Sequence, residues 1–312
     1  MNWAPPSACT VTREGSGLQA GFAPSAWVSA PDFAAVRAHP ALMGAVAEFA
    51  KSLIDVYEGN ALLNTLLCDR GRVLVGFFLL YLEVLPVPGT SVLGATLSTV
   101  QALCRRTQLC SPGRTASVLA AMRFGGYIVP RTDPADHRRR FLVPTQKLVA
   151  AQQQRWVRQF EAMVPVFPGA TLVPALLEGR AFRTAFLHQL GTHFFAGFRV
   201  LDHTPVLAKL AESNAGILMV SSLVLLQLTN GGTPGGVVPI SISALSRRFC
   251  VSRAHIRNLL VISEAAGLLA HAPGSENVVV LPALTEAIIQ FYGVVFILFH
   301  RCAEGALGEA AA

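Results

Sequence analysis

Arginine side chains carry most of the chemistry that this sequence offers. Between residues 100 and 160, eleven Lys and Arg residues stand against two Asp residues, a net charge of +9, whereas the whole 312-residue chain has +7. Guanidinium groups donate paired hydrogen bonds to phosphates and to base edges. This concentration therefore predicts a polyanionic partner, with double-stranded DNA as the expected one. The alternative is a solvated basic face without a partner.

Two predicted helices carry side chains suited to base recognition, because Arg pairs with guanine and Asn with adenine. The side chains expected in a major groove are Arg114, Thr115 and Ser117 from the segment 112–124, and Arg253, His255, Arg257 and Asn258 from the segment 253–266. The other candidate DNA-binding residues are Arg105, Arg106, Ser111, Arg131, Arg138, Arg139, Arg140, Arg247, Arg248 and Ser252. The run 138–140 is expected at phosphates or in a minor groove.

The elements that position these residues follow from the stretch 97–145, which predicts a helix, a turn, a second helix and a hairpin. Ser111 can cap the second helix, and Pro112 suits its first position. Gly126 can adopt positive φ where that helix ends. The polar run 133–140 is the expected hairpin tip. This order is that of a winged helix-turn-helix, with basic residues where phosphates would lie.

The same plan recurs later in the chain. The segment 242–269 repeats it: Ala102-Leu103-x-Arg105-Arg106 matches Ala244-Leu245-x-Arg247-Arg248, Ser111 matches Ser252, and Gly126 matches Gly267. A second wing follows at 278–282, and upstream the segment 62–85 resembles 206–229. The offset stays near 142 to 144 residues throughout. Several matches in the same order predict an internal duplication.

The first wing resembles that of the multiple-antibiotic-resistance regulator (MarR) family. In that family a D-x-R-R run at the wing tip precedes a strand and a long helix, and the matching positions here are Asp136, Arg138, Arg139 and Thr145. The resemblance implies a bacterial transcription regulator in which terminal helices form a dimer and each winged helix enters one operator half-site. This chain departs from that pattern in two ways, since two copies are fused and the second wing lacks the D-x-R-R run.

The resemblance also implies a small-molecule effector and a pocket between the dimerising helices and the winged helix. The aromatic side chains that can line such a pocket are Phe77, Phe78 and Tyr81 in the first copy, and Phe194, Phe195 and Phe198 in the second. The alternative is that these rings are ordinary core residues.

The predicted fold class is mainly α with small β wings, as two winged helix-turn-helix domains that form an intramolecular pseudo-dimer. The expected division is an N-terminal arm at 1–31, a first copy at 32–165, a linker at 166–174, a second copy at 175–303 and a tail at 304–312. Helices are expected from Asp32, over 60–67 and over 180–200. The expected particle is a monomer that acts as an internal dimer.

Other functional classes find little support. The six cysteines form no CxxC pair, and Cys104 and Cys250 suit small core positions. Cys110 lies just before a helix N-terminus, where a thiolate is favoured, so redox sensing is an alternative for this residue. His188 and His193 are five residues apart and diverge on a helix, and no catalytic triad or paired-carboxylate pattern stands out. We therefore expect no enzyme, no metal and no cofactor.

The sequence also predicts where the protein is located and leaves one alternative function open. The uninterrupted apolar runs are too short to cross a bilayer, and the sequence begins without a secretory pattern, so a cytoplasmic protein with no membrane partner is expected. The alternative to a sequence-specific DNA-binding regulator is a winged-helix scaffold for protein contacts, or a ligand sensor with weak DNA binding. The +9 stretch favours DNA.

Overall fold

The computed structural model describes residues 28–58, 69–87, 89, 93–134, 136–229, 235–272 and 277–311. This described part is mainly helical, at 69% helix with 13 α-helices, and has small antiparallel β hairpins. The predicted mainly α class with small hairpins is confirmed. Most of the predicted N-terminal arm and the predicted helix at 60–67 lie outside the described residues.

The elements of the first half are α1 (Ala30–Arg37), α2 (Leu42–Tyr57), α3 (Arg70–Val84), α4 (Leu97–Arg106), α5 (Pro112–Phe124), β1 (Ile128–Thr132), β2 (Arg140–Pro144) and α6 (Gln146–Met163). A 3₁₀ helix (Pro168–Leu172) and the short α7 (Val173–Leu176) occupy the segment predicted as a linker.

The elements of the second half are α8 (Arg180–Phe195), two 3₁₀ helices (Val200–His203 and Pro205–Leu207), α9 (Ala208–Ala211), α10 (Gly216–Thr229), β3 (Val237–Val238), α11 (Ile242–Arg248), α12 (Arg253–Ala265), β4 (Leu269–His271), β5 (Val278–Val280) and α13 (Pro282–Ala311). The order helix, helix, hairpin and long helix thus occurs twice.

Two predicted helix boundaries are wrong, each for a local reason. Helix α1 begins at Ala30 instead of Asp32, because Ser29 caps it and the Asp32 carboxylate, three residues on, accepts the Ser29 N–H in return. Helix α8 ends at Phe195 instead of continuing to 200, because the chain leaves the helical region at Gly197, where φ is +103°.

Side-chain caps set the starts of the helices around the hairpins. Ser111 accepts the Arg114 N–H at the start of α5, and Ser252 accepts the His255 N–H at the start of α12. The hairpins that follow differ slightly. Strand β5 lies between β3 and β4, whereas β2 pairs with β1 and the Leu142 N–H donates to the Ala95 carbonyl.

Helix α13 runs through the centre of the described structure. Its Tyr292 and Phe296 rings each lie 5.1 Å from the Phe49 ring of α2, measured between centroids. By length and composition, Pro282–Glu309 could span a membrane, but 56% of its most apolar window is buried among the other helices. The burial accounts for its apolar sequence as core packing.

Helices preceding each helix–helix–hairpin unit pack on both halves of the chain. Helix α2 contacts α6 in its own half and α10 in the other, while α8 contacts α13 in its own half and α3 in the other. The contacts between the halves are therefore reciprocal: α2 of the first half packs on α10 of the second, and α8 of the second half packs on α3 of the first.

Of the two cysteines expected in the core, Cys104 is buried, whereas Cys250 is exposed because it lies in the turn between α11 and α12, with φ of +52°.

Candidate nucleic-acid interface

The first wing presents its arginines to solvent. Arg131 and the run Arg138 to Arg140 are all exposed, and among the described residues no carboxylate lies within 4.0 Å of their guanidinium groups. The tip is ordered by Asp136, whose carboxylate accepts the Arg138 N–H at 3.0 Å and whose carbonyl accepts the Arg139 N–H. The positive charge of these arginines therefore has no neutralising carboxylate beside it in the described part of the chain.

An aromatic ring supports the base of this wing. The Arg131 and Arg139 guanidinium carbons lie 5.8 Å and 5.2 Å from the centroid of the Phe141 ring, within cation–π range. The ring packs so closely on Gly94 that a Cβ at this position would approach it to 2.7 Å. Because Gly94 also has φ of +96°, a larger residue there would tilt the wing.

The exposed face of α12 carries hydrogen-bonding groups at helical spacing. Arg253, Arg257 and Asn258 are exposed, and Ile256 and Leu259 between and beside them are fully buried. A stripe at i, i+4 and i+5 faces one side of a helix. These three predicted residues therefore lie together on one surface with their side chains available.

The corresponding face of α5 is poor in polar groups. Ser117 is exposed, but its hydroxyl donates to the Gly113 carbonyl, and Phe124 at the helix end is 93% exposed. Thr115 contradicts the expectation of a groove contact. Its side chain is fully buried, and its hydroxyl donates to the Ser111 carbonyl. Position 115 lies on the same helix face as the buried Val118, Leu119 and Met122, so the helix directs the Thr115 side chain into the core.

Arg114 and His255 begin a chain of polar contacts that we call the polar bridge, consisting of Arg114, Asp69, Arg72, Asn214 and His255. Arg114 and Arg72 pair with the buried Asp69 carboxylate at 2.9 Å and 3.2 Å. Arg72 donates to Asn214 Oδ1 at 3.0 Å, and His255 Nε2 donates to the Asn214 carbonyl at 2.9 Å. The bridge connects the first turns of α5 and α12 through the starts of α3 and α10.

The bridge includes two further predicted site residues. Arg114 and His255 are half-buried and occupy the third helical position of α5 and α12. Both side chains have partners within the protein, Asp69 and the Asn214 carbonyl. The helix pattern alone gave no sign of this, because the partners lie 45 and 41 residues away.

Two more predicted arginines contact the opposite half. The Arg248 guanidinium pairs with Glu58 just after α2 at 2.9 Å, and the Arg106 guanidinium carbon lies 5.7 Å from the centroid of Phe195 at the end of α8. Arg106 and Arg248 are matched residues of the duplication. Their partners lie at the ends of the two helices that cross between the halves, so these arginines hold the halves together.

The remaining predicted residues divide simply. Arg105 and Arg247 are exposed in the last turns of α4 and α11. Ser111 and Ser252 are also exposed, but their side chains cap α5 and α12, which limits them to a structural role.

A cavity of about 320 Å³ lies between the two halves. Its lining is mostly aromatic and aliphatic, from α2, α3, α6, α8, α10 and α13. Of the aromatic residues expected at a pocket, Phe77, Phe194 and Phe198 line it, whereas Phe78, Phe195 and Tyr81 pack against one another outside its lining. The rings thus serve partly as pocket walls and partly as core.

Polar side chains line this cavity from several elements: Gln152, Arg155 and Gln159 on α6, Asp69 and Arg70 at the start of α3, His193 in α8 and Arg199 after it. The Nε and one terminal nitrogen of Arg155 are buried without a hydrogen-bond partner, as is the side-chain oxygen of Gln159 one turn later. Tyr292 also lines the cavity, and its hydroxyl contacts Ser221 at 2.9 Å. Burial raises the pKa of Tyr292 to about 12. Two buried guanidinium nitrogens without a hydrogen-bond partner are costly, so the part of the cavity at Arg155 suits an anion. The Asp69 carboxylate, which also lines the cavity, is paired with Arg72 and Arg114.

Sequence reasoning missed Asp69, Arg72, Asn214 and Arg155. Asp69 could have been recognised as a helix N-cap, which it is, because the Arg72 N–H donates to its carboxylate. No signal in the sequence indicated Arg155, which looked like one more basic residue of a wet helix.

No protein-family model, curated protein or solved structure matches the chain. The proposed function therefore depends on the geometry described above.

Proposed function

We propose that this protein is a sequence-specific DNA-binding transcription regulator of the MarR type, with two winged helix-turn-helix units in one chain. The observation that carries the proposal is the first wing, where four arginines are exposed on a hairpin and have no carboxylate within 4.0 Å among the residues that the structure describes. A surface of this kind neutralises phosphates and releases counterions. The exposed Arg257 and Asn258 on α12 add groups that discriminate bases.

The contacts between halves support a pseudo-two-fold arrangement. In a two-fold interface, if one element of a subunit contacts a second element of its partner, the reverse contact also exists. The pairs α2–α10 and α8–α3 obey this rule, as do the contacts of Arg106 and Arg248 with the ends of α8 and α2. The starts of α3 and α10 meet through the Arg70–Glu212 pair at 2.9 Å, which suits a position near the pseudo-axis.

The proposal is tested by measuring binding of random-sequence duplexes at several salt concentrations with fluorescence anisotropy. We expect affinity to fall steeply, because each phosphate contact lowers log K by about 0.9 for a tenfold rise in salt. An affinity independent of salt would reject the proposal in favour of a protein-interaction scaffold.

The two units differ in what they offer to DNA. The first copy has the +9 stretch, whereas residues 242–301 hold five Arg and three Glu, a net charge of +2. The first unit has a basic wing and a nearly apolar helix face, while the second has a polar helix face and a wing without arginine. We infer that the first unit supplies most of the electrostatic affinity and the second most of the base discrimination.

Substitution of Arg257 or Asn258 by alanine tests this division. Each change removes a paired hydrogen bond to a base edge, so preference at one or two base pairs should fall by about 1–3 kcal/mol, or roughly 5- to 150-fold. Selection from a random duplex library measures the preference. Ser117→Ala on α5 is the matched control and should leave it nearly unchanged. Equal effects of all three substitutions would remove the proposed asymmetry.

Ligand sensing is the second candidate function, and the central cavity favours it. A site that is mostly apolar, with a few convergent polar groups, is typical of small-molecule binding. Its lining comes from both halves and includes α3, which leads into the first helix-turn-helix. We propose an effector with an apolar body and one carboxylate, the carboxylate accepting from the Arg155 guanidinium. Such a ligand would favour one relative position of the halves.

Arg155→Met is the corresponding substitution. It replaces a half-buried guanidinium, two of whose nitrogens are buried without a hydrogen-bond partner, by an apolar side chain, so the free energy of unfolding without ligand should rise by about 1 kcal/mol. Thermal unfolding with octanoate or 2-naphthoate as probe should show stabilisation of the wild type and none of the variant. The neutral amides of both probes serve as controls. Equal stabilisation by acids and amides would contradict the role of Arg155.

A further inference from the structure

Helix α12 exposes one large apolar side chain. In this helix, which the structure describes throughout, Val261 is 60% exposed, whereas Ile256, Leu259 and Leu260 are buried and Ile262 is half-buried. A single exposed valine needs no explanation by itself. An exposed helix position nevertheless favours alanine over valine, because β-branching restricts the valine side chain and no burial compensates for this. The position of Val261 on the helix therefore decides whether it has a role.

Val261 lies in the middle of the helix face that carries the hydrogen-bonding groups. The exposed residues of α12 are Arg253, Ala254, Arg257, Asn258, Val261 and Ala265. At about 100° per residue, Arg257 lies about 40° to one side of Val261 and Asn258 about 60° to the other. Arg257 is also one turn away along the helix axis, or about 6 Å. The valine is therefore placed between an arginine and an asparagine on one surface.

The charge on this face suits a nucleic acid. Arg253 and Arg257 are exposed and have no carboxylate within 4.0 Å among the residues that the structure describes. The half-buried Glu264, three residues after Val261, contacts the His271 side chain of β4. A valine beside unpaired cations fits a groove that is lined with phosphates and carries methyl groups better than it fits an apolar protein surface.

The major groove of DNA offers one apolar group that a valine can contact, the C5-methyl group of thymine. A valine in a helix keeps one χ1 rotamer in about 90% of cases, so its methyl groups are held in place before binding and little side-chain entropy is lost. Cytosine has only a hydrogen atom at the same ring position. Contact with a valine therefore selects thymine without a hydrogen bond.

We propose that Val261 is a specificity-determining residue of the second unit and contacts the methyl group of a thymine beside the bases read by Arg257 and Asn258. This inference rests on the proposed function and names a base that the second half-site must contain. The thymine should lie within about two base pairs of the base that Arg257 contacts, because one helical turn advances about 6 Å and one base step about 3.4 Å.

The first unit lacks this group. Ala120 lies nine residues after Ser111, as Val261 lies nine residues after the matching Ser252, and Ala120 is exposed on α5. The single methyl group of an alanine reaches less far from the helix than the branched side chain of a valine. Selection of thymine by this position should therefore be confined to the half-site that α12 contacts.

The test uses a library-selected duplex in which each thymine is replaced in turn by deoxyuridine, which lacks only the methyl group. Fluorescence anisotropy of the full-length protein should show that affinity falls about fourfold at one or two thymines of one half-site, as expected for one methyl group returned to water. Val261→Ala should bind the thymine duplex about fourfold more weakly than the wild type and should not distinguish thymine from deoxyuridine at these positions.

The matched control is Val237→Ala, which truncates a valine of β3 that is 57% exposed in the same half of the chain. This variant should keep both the affinity and the discrimination against deoxyuridine. The thermal unfolding midpoint of Val261→Ala should be no lower than that of the wild type, because an exposed helix position tolerates alanine. A loss of affinity in this variant then reports the contact and not the fold.

The outcomes separate this inference from the proposed function. Wild-type protein that binds duplexes in a salt-dependent manner but tolerates deoxyuridine at every position overturns the role of Val261 alone. A selected site without thymine, or a deoxyuridine effect that persists in Val261→Ala, overturns it as well. Wild-type protein that binds no duplex at any salt concentration rejects the proposed function and this inference together.

Discussion

Replacing Arg138 and Arg139 by alanine is expected to weaken binding to all duplexes by the same factor, about 30-fold near physiological salt. Both side chains are exposed on an ordered turn, so their loss removes phosphate contacts without disturbing a core. The slope of log K against log salt should become shallower by about 1.8, which corresponds to two contacts. Base preference should stay the same, because phosphates carry no sequence information.

The control for each of the two wing substitutions made singly is Arg180→Ala, which likewise removes one positive charge, from the exposed start of α8. It should change neither the affinity nor the slope measurably. If Arg180→Ala weakens binding as much as a wing substitution does, the effect is one of net charge, and the wing is not the contact surface.

The largest expected effect on stability comes from Asp69→Ala. The Asp69 carboxylate is buried, caps α3 and pairs with both Arg72 and Arg114. Removing it deletes the cap and leaves two cationic partners without their anion, one of them 39% exposed and so partly compensated by water. We expect a loss of about 3 kcal/mol in the free energy of unfolding, measured by urea denaturation.

Two comparisons sharpen this prediction. Asp69→Asn keeps a capping side chain and should lose less. Glu286→Ala breaks an exposed pair with Arg37 and should cost at most about 1 kcal/mol. A loss for Asp69→Ala no larger than that for Glu286→Ala would show that the polar bridge does not hold α5 in place.

Much of the local structure could be predicted from the sequence because its signals are local. Ser111, Pro112 and Gly126 bounded α5, and the polar run after residue 132 marked the hairpin tip. Short apolar runs at 127–129 and 141–143 assigned the strands on either side. These features depend on capping, backbone conformation and burial within about ten residues.

The fate of individual site residues could not be predicted, because their partners are distant in sequence. Arg114 looked like a groove-facing arginine and instead contacts Asp69, while Arg248 contacts Glu58 across 190 residues. Thr115 follows Arg114 directly, yet the helix turns it into the core. Periodicity separates the inner from the outer face of a helix, but it does not say which other helix covers the outer face.

The high apolar content of the chain is explained by the contacts between its two halves. Helices α2 and α8 each cross to the other half, and α13 is covered by several neighbours, so many more side chains are buried than two separate small units would bury. Under the proposed function, this arrangement makes the relative position of the two DNA-binding units a property of one shared core. An effector in the central cavity would act on that core.

The most direct test of the central claim is a hydroxyl-radical footprint of the one-chain complex on a library-selected duplex, with stoichiometry measured on the same sample. Two winged helices in one chain should protect two patches on one face of the DNA, about one helical turn apart, at one chain per duplex. The sequences of the two patches should differ, because the units differ. A single protected patch, or two identical patches that require two chains, would contradict the account of a single-chain pseudo-dimer.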